Sequence, residues 1–190
     1  MEGHFEIVEV SPRDGLQNEK KILKTSQKIE LISRAIDAGL TRIEVTSFVN
    51  PKRVPQMFDS DEVVQNLPKK NGRDIKYIGL VLNEYGFTRA LKSDLDIANY
   101  AIVASDTFSI KNQGASTSEN LKILEKIFLE SSKKIQIAVT IAASFGCPFD
   151  GEISTNHLLS IVEKIAKIGL TEICLADTIG VATPKDIKTK

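Results

Sequence analysis

The chain has 190 residues, of which 42% are hydrophobic and 26% charged, and its formal net charge is zero. This length supports one domain with a substantial core, and the composition is ordinary for a soluble globular protein. No basic run stands out, so nothing predicts a nucleic acid or an anionic membrane surface as a partner. No apolar stretch approaches the roughly 20 residues of a membrane-spanning helix.

The N-terminal segment and the cysteine content both bear on the expected location of the protein. The N-terminus enters an apolar run almost at once, which leaves no room for a signal or transit peptide. The only cysteines, Cys147 and Cys174, offer neither a disulfide framework nor a paired metal-ligand spacing. A reducing cytoplasm is therefore the expected location.

Short β-rich runs alternate with helix-like stretches along the whole chain. In the helices, apolar residues recur with a period near 3.6, and Thr25, Ser118 and Ser154 stand at expected N-terminal caps. Gly39 and Gly169 follow the ends of two helices, as C-terminal glycines do. We expect strands at 5–10, 42–48, 75–82, 97–104, 135–143 and 172–176, and helices at 25–38, 60–66, 85–92, 118–131 and 154–168, with a last helix beginning after Pro184.

This alternation predicts a parallel sheet in an α/β fold, either a doubly wound open sheet or a (β/α)8 TIM barrel. The open sheet predicts a G-x-G-x-x-G sequence in the first strand-to-helix turn, but that turn reads S-P-R-D-G-L-Q. Barrels collect functional groups at the carboxyl ends of several strands, and polar groups follow all six expected strands. The barrel is therefore favoured, with about six of its eight βα units present.

The turn after the first strand concentrates polar chemistry. The segment FEIVEVSPRDGLQNEK places Arg13, Asp14 and Gln17 at one strand end, which is costly unless they meet water, one another, a metal or a substrate. A solvated Asp-Gly turn is the simpler interpretation. On the second strand, two-residue alternation predicts that Glu44 and Thr46 share one face.

Five segments together resemble the 3-hydroxy-3-methylglutaryl-CoA lyase family. They are SPRDGLQNEK, EVTSFVNPKRVPQMFD, ASDTFSIKN, GCPFDG and ADTIGVATP, and they span nearly the whole chain in family order. The RDG turn alone would also suit related TIM-barrel synthases that condense acetyl-CoA with a keto acid, whereas the second and fourth segments are more specific to the lyases.

The resemblance implies a metal-dependent retro-Claisen cleavage of an acyl-CoA to acetyl-CoA and acetoacetate. It implies Mg²⁺ or Mn²⁺ bound by Asp14, and Arg13 as the cation that polarises the thioester carbonyl. Asp177 would take part in proton transfer, or serve as a capping carboxylate at its turn. Glu44 would hold Arg13 or orient the metal site, or be a structural ion-pair partner. A homodimer is a further expectation from the family.

The remaining candidates are substrate contacts. The resemblance places Gln17 within the site and Lys20 near a CoA phosphate, although a turn lysine is often simply solvated. Ser144 and Thr178 lie at strand ends where a hydroxyl could contact the substrate. We expect Cys147 to be a non-catalytic loop thiol, Cys174 to pack as a small apolar residue and His157 to lie on the surface.

The sequence departs from the family in its last quarter. The family completes its metal site with a His-x-His pair and an asparagine on later strands, and neither is present before Lys190. We therefore interpret residues 1–190 as a single incomplete TIM-barrel domain, truncated before strands 7 and 8 and inactive alone. The alternative from another class is a non-catalytic partial barrel completed by a partner chain.

Overall fold

A computed structural model describes residues 5–131 and 134–190. The strands and helices alternate along the chain, with a π-helical turn at Ser11–Gly15 and a 3-10 turn at Pro55–Met57. The strands are β1 (Val8–Glu9), β2 (Arg42–Ser47), β3 (Lys76–Val81), β4 (Ile97–Val103), β5 (Gln136–Ala142) and β6 (Ile173–Leu175). The helices are α1 (Thr25–Asp37), α2 (Ser60–Gln65), α3 (Glu84–Leu91), α4 (Asp106–Gln113), α5 (Thr117–Glu130), α6 (Thr155–Ile168) and α7 (Pro184–Thr189).

The six strands belong to one parallel sheet whose strand order follows the chain, β1-β2-β3-β4-β5-β6. A parallel pair requires a crossover connection, and the helices between successive strands provide it. The predicted fold class, α/β with about six βα units of a TIM barrel, is confirmed. Because the carboxyl ends of parallel strands lie on one edge of the sheet, the loops that follow them position the candidate site residues.

The chain divides into two compact units, which are described separately. The first comprises Met1–Val81 and Tyr85–Ala98. Its core contains fully buried side chains from α1, β2 and α3, among them Ile32, Ile43 and Phe87. A buried ion pair joins the Lys28 ammonium to the Asp59 carboxylate, and the Thr25 hydroxyl donates to the other Asp59 oxygen over 2.8 Å. This pair ties α1 to the segment before α2.

The second unit comprises Leu82–Glu84 and Asn99–Lys190. Its core contains Leu124 and Ile127 from α5, Ile141 from β5 and Ile165 from α6, all buried. The Tyr100 ring is also fully buried, and its hydroxyl lies 3.3 Å from Asn120 Oδ1. Burial raises the pKa of this phenol, because the charged form would be poorly solvated.

Three helix details differ from the sequence prediction. Lys24, not Thr25, is the N-cap of α1. Ser116, not Ser118, caps α5, where it forms a capping box with Glu119. Helix α4 was not predicted; its N-cap Ser105 accepts a hydrogen bond from the Phe108 amide. The longest helices, α5 and α6, have 14 residues each, and no helix in the described ranges is long and apolar enough to cross a membrane.

The first and last strands are shorter and more exposed than predicted. Strand β1 covers only Val8–Glu9, and Phe5 before it is 89% exposed. The prediction that Cys174 packs as a small apolar residue is wrong, since the residue is exposed. Both strands stand at the ends of the strand order, where one side lacks a neighbouring described strand, so apolar sequence there does not produce burial.

Candidate active site

The turn after β1 is fixed by the backbone. Within the π-helical turn, the Val10 carbonyl accepts hydrogen bonds from the amides of Arg13 (3.1 Å), Asp14 (2.7 Å) and Gly15 (3.2 Å). The Glu9 carboxylate accepts from the amide of Ser11 over 2.7 Å. These contacts close the chain into a tight turn and project the Arg13 and Asp14 side chains from the end of the strand.

Arg13 is the centre of a polar network that we call the RDG cluster, consisting of Arg13, Asp14, Gln17 and Glu44. Its Nε donates to Glu44, and its Nη1 donates to Asp14 Oδ1 over 2.8 Å and to Gln17 Oε1 over 3.3 Å. The Arg13 and Glu44 side chains are 13% and 4% exposed, whereas Asp14 is 58% exposed. The guanidinium is therefore held from inside by a buried carboxylate and from outside by a solvated one. The predicted ion pair between Glu44 and Arg13 is present.

A β-bulge in β2 changes which side chains accompany Glu44. The register with β3 shifts between Glu44 and Thr46, because Glu44 pairs with Ile78 while Thr46 pairs with the next residue, Gly79. The extra residue, Val45, reverses the alternation beyond it. The prediction that Glu44 and Thr46 share a face is therefore wrong, and the Thr46 hydroxyl lies 3.9 Å from Met57 Sδ instead.

The described residues do not by themselves fit a metal ion. No group of three or more His, Cys, Asp or Glu side chains lies close enough together to hold one in residues 5–131 and 134–190. Asp14 contributes a single exposed carboxylate, and one of its oxygens already accepts from Arg13. Mg²⁺ and Mn²⁺ prefer several oxygen ligands, so the metal role of Asp14 stays a prediction.

The three remaining substrate-binding candidates differ in exposure to solvent: Lys20 and Thr178 are exposed, and Ser144 is buried. Lys20 is exposed, and its contact with a CoA phosphate stays a prediction. Ser144 is fully buried and donates to the Ile141 carbonyl over 2.6 Å, and its contact with the substrate stays a prediction. Thr178 is an exposed residue whose hydroxyl accepts from the Ala143 amide over 2.8 Å, so it connects the ends of β5 and β6.

Asp177 accepts hydrogen bonds from backbone amides in the turn after β6, as its alternative interpretation as a capping carboxylate predicted. Its two carboxylate oxygens accept from the backbone amides of Val181 (3.0 Å) and Ala182 (2.8 Å). These contacts orient the carboxylate at the end of β6 and order the turn that leads to α7. Thr183 caps α7 itself, in a capping box with Asp186. Proton transfer by Asp177 stays a prediction that this geometry permits.

A second polar network, in the second unit, connects the loop after β5 with helix α4 and its N-cap. We call it the loop cluster, consisting of Ser105, Cys147, Phe149, Asp150 and Lys111. Cys147 is buried and its thiol donates to the Ser105 hydroxyl over 3.1 Å, and that hydroxyl in turn donates to Asp150. Hydrogen bonds from Ser105 and Thr107, with a smaller contribution from the Lys111 charge, lower the pKa of the Asp150 carboxyl. The Lys111 ammonium lies 3.8 Å from the centre of the Phe149 ring.

Cys147 lies in a loop, as expected, and its non-catalytic role stays a prediction. The backbone groups of Cys147 and Gly151 exchange two hydrogen bonds of 2.7 and 3.0 Å, which close the loop. Gly151 has a φ of +76°, a conformation that favours glycine. His157 is exposed, as predicted, although its Nε2 lies 2.7 Å from the Ala104 carbonyl oxygen.

Sequence reasoning missed the connection between Ser105 and Asp150. The two residues are 45 positions apart and lie after different strands, so only the strand order brings them together. The signal available was their location, since both follow the carboxyl end of a predicted strand. The bulge in β2 left no such signal, because EVTSF reads as regular alternation.

The chain was compared with known proteins. A family model described as HMGL-like matches residues 4–190, which include every predicted site residue. The chain belongs to the HMGL-like family. The mitochondrial hydroxymethylglutaryl-CoA lyase of Homo sapiens is 41% identical over 184 residues, and the match covers 96% of this chain and 56% of that protein. The (R)-citramalyl-CoA lyase of Chloroflexus aurantiacus is 38% identical, with 95% and 60% covered.

Solved structures agree with this membership of the HMGL-like family. An HMG-CoA lyase from Acinetobacter baumannii, in complex with coenzyme A and 3-methylmalate, superposes with a TM-score of 0.93 and is 38% identical. The HMG-CoA lyase from Brucella melitensis gives a TM-score of 0.91 at 37% identity. Each comparison covers 97% of this chain but only 60% and 65% of the respective structures. The chain thus spans about three fifths of the length of the relatives that it matches.

Proposed function

We propose that this chain takes part in the cleavage of a carbon–carbon bond in a 3-hydroxyacyl-CoA of the hydroxymethylglutaryl-CoA type. The observation that carries the proposal is the RDG cluster, in which a buried carboxylate fixes a guanidinium at the carboxyl end of β1 in a member of the HMGL-like family. The names of the relatives, which are lyases of two related acyl-CoA compounds, support the same reaction class.

The proposed reaction is balanced without an external oxidant or reductant. The hydroxyl at C3 of the acyl group loses its proton, C3 becomes a ketone, and the bond between C2 and C3 breaks. The electron pair of that bond goes to C2 and forms the enolate of acetyl-CoA, which then takes up a proton at C2. For hydroxymethylglutaryl-CoA the products are acetoacetate and acetyl-CoA.

Arg13 suits the stabilisation of that enolate. Negative charge develops on the thioester oxygen as the bond breaks, and a cation fixed in advance lowers the barrier because it needs no reorganisation. A guanidinium stays charged and offers several donors, so it can keep its Nε contact with Glu44 while Nη groups turn to a ligand. The contact with exposed Asp14 is the one that a substrate would most easily replace.

Asp177 is the proposed group for proton transfer. Its carboxylate is partly exposed, and two backbone amides hold its orientation. The Mg²⁺ or Mn²⁺ implied by the sequence resemblance stays a prediction.

The two named relatives suggest two substrates that differ by one methylene. Hydroxymethylglutaryl-CoA has a CH₂ between its tertiary carbon and its carboxylate, and (R)-citramalyl-CoA lacks it. A pocket distinguishes one methylene by about 1–3 kcal/mol, so a tenfold or larger preference is measurable. Hydroxymethylglutaryl-CoA is the first candidate, because the two solved structures reported above are both HMG-CoA lyases.

The test is calorimetric titration of each acyl-CoA into the purified 190-residue chain, with acetyl-CoA release followed on the same samples. We expect binding of hydroxymethylglutaryl-CoA that is lost in Arg13→Ala. Arg73→Ala is the matched control, since Arg73 belongs to the same unit and forms an exposed ion pair with Asp37 over 3.5 Å. A chain that binds neither acyl-CoA would refute the proposal.

Acetyl-CoA release decides between the remaining alternatives. Binding without release agrees with the prediction that the chain is inactive alone and with a partial barrel that needs a partner chain. Release that depends on Arg13 would show instead that these residues suffice for catalysis. Condensation of acetyl-CoA with a keto acid, with no cleavage, would favour the synthase alternative.

A further inference from the structure

The bulge in β2 brings Ser47 onto the face of the sheet that carries Glu44. Aligned residues of neighbouring parallel strands project to the same side, and Glu44 pairs with Ile78 while Ser47 pairs with Leu80. Since Ile78 and Leu80 are two positions apart on β3, they share a face, and so do Glu44 and Ser47. Without the bulge, Ser47 would lie on the opposite face.

The opposite face of the sheet packs against apolar side chains. A Cβ built on Gly79, which pairs with Thr46, would lie 2.5 Å from Leu95 Cδ1 and 3.2 Å from the Phe48 ring. That side of the sheet is therefore closely packed. The bulge thus directs the serine hydroxyl away from this packed layer and toward the side where Glu44 holds Arg13.

The Ser47 hydroxyl is buried and has no hydrogen-bond partner in the described parts of the chain. Its residue is 0% exposed, so bulk water does not satisfy the oxygen either. Ser60, which is equally buried nearby, behaves differently, because its hydroxyl lies 2.7 Å from both the Ser47 and Met57 carbonyl oxygens. Leaving a buried hydroxyl unpaired costs stability, and such groups in natural proteins call for a specific explanation.

We propose that Ser47 is a substrate-binding residue whose hydroxyl donates to an oxygen of the acyl group bound at the RDG cluster. This inference rests on the proposed function. A serine hydroxyl changes direction by rotation about a single side-chain bond, so it reaches a ligand without movement of the backbone. Buried polar groups that lack a hydrogen-bond partner occur mainly at functional sites, where a ligand supplies the partner.

The ligand chemistry follows from the position of Ser47. Ser47 ends β2 on the face that carries Glu44, the partner of the Arg13 guanidinium. A neutral donor on that face suits an oxygen that carries partial or full negative charge, such as the thioester or carboxylate oxygens of the acyl group. The nucleotide part of CoA is not required for this contact. The residue should therefore affect the affinity for the acyl-CoA and leave the affinity for free CoA unchanged.

The test is titration of hydroxymethylglutaryl-CoA and of free CoA into the unaltered chain, Ser47→Ala and the control Ser60→Ala, with urea unfolding of each protein. We expect Ser47→Ala to weaken acyl-CoA binding about 5- to 10-fold, the effect of one lost hydrogen bond, with unchanged binding of free CoA. Its unfolding midpoint should stay equal or rise, since an unpaired hydroxyl has been removed. Ser60→Ala should lower the midpoint, because it removes a hydroxyl with two backbone contacts.

Three other outcomes would overturn the inference about Ser47, and they can be told apart. Equal acyl-CoA affinity in the unaltered chain and Ser47→Ala would show that Ser47 is a structural residue, while the proposed function would stand. Failure of the unaltered chain to bind the acyl-CoA would overturn both together. Equal loss of affinity for acyl-CoA and free CoA would show a general disturbance of the site. If Ser47→Ala does not fold, Ser47→Cys supplies the same comparison with a weak donor of similar size.

Discussion

The RDG cluster of the first unit and the loop cluster of the second are built from different kinds of contact. In the RDG cluster, the charged Arg13 is held by two carboxylates, one buried and one 58% exposed. In the loop cluster, a thiol, a hydroxyl and a carboxylate form a chain of hydrogen bonds that closes on the N-terminus of α4. The first concentrates charge, and the second mostly satisfies neutral donors.

This difference indicates which polar contacts a bound ligand could replace at a small cost in stability. A solvated ion pair contributes little to stability, so a ligand can replace the contact between Arg13 and Asp14 at small cost. In contrast, every described contact of Ser105 orders the backbone, either by capping α4 or by fixing the loop after β5. We therefore assign ligand binding to the RDG cluster and loop stabilisation to the loop cluster, and three predictions test that assignment.

The largest effect is expected for Arg13→Ala. The substitution leaves the buried Glu44 carboxylate without its cation, and breaking a buried pair from one side costs about 3–5 kcal/mol. Urea unfolding should show a loss of about 3 kcal/mol together with the loss of acyl-CoA binding. Asp14→Ala is the control, since its exposed carboxylate should contribute less than about 1 kcal/mol. Equal destabilisation by the two variants would contradict the distinction between the inner and outer carboxylates.

A smaller effect on stability, and none on ligand affinity, is expected for Ser105→Ala. The variant loses the cap of α4 and the partner of Asp150, so the free energy of unfolding should fall by about 1–2 kcal/mol. In a Cys174→Ala background, Cys147 should also react faster with a thiol reagent, because its hydrogen-bond acceptor is gone. Ser116→Ala, which removes the cap of α5, should lower stability without changing that rate. A fall in acyl-CoA affinity in Ser105→Ala would mean that the loop cluster contacts the ligand.

Strand bounds and helix ends were predicted correctly where they depend only on the neighbouring sequence. Strands β2 to β5 lie within one or two residues of their predicted bounds, because buried parallel strands read as nearly continuous apolar runs. Ser154 caps α6 as predicted, and Gly169 adopts a φ of +105° at its end. The contact between Arg13 and Glu44 was also expected, from the family resemblance of the two segments that contain them, and the structure contains it.

The failures occurred where tertiary context decides. No local pattern marks Val45 as the extra residue of a bulge, yet that residue determines whether Thr46 or Ser47 accompanies Glu44. Apolar runs at β1 and around Cys174 predicted burial, but burial depends on a neighbouring strand that lies beyond the local sequence. The members of the RDG cluster, including neutral Gln17, were thus predictable from the sequence, whereas the face on which Ser47 lies was not.

The smallest effect is expected for Asp150→Asn in the loop cluster, and it is a change in how stability depends on pH. Hydrogen bonds from Ser105 and Thr107 lower the pKa of Asp150 below its ordinary value of 3.8, so the folded state favours the charged carboxylate. Such a group stabilises the fold fully above the unfolded pKa, and the contribution is lost as pH falls through the lower folded pKa. The unfolding midpoint of Asp150→Asn should therefore lie below that of the unaltered chain at pH 6 and approach it below about pH 3.

The cause is checked in a Ser105→Ala background, where the largest source of the lowered pKa is absent. There, Asp150→Asn should change the midpoint less at pH 6, and the difference between pH 6 and pH 3 should shrink with it. A pH dependence that is the same in both backgrounds would attribute the lowered pKa to the Thr107 hydrogen bond or to the Lys111 charge instead. If the Lys111 charge is the cause, the Lys111 ammonium, which also contacts the Phe149 ring, would hold the loop cluster. The loop cluster and the RDG cluster would then both depend on a charged side chain, and the distinction between them would weaken.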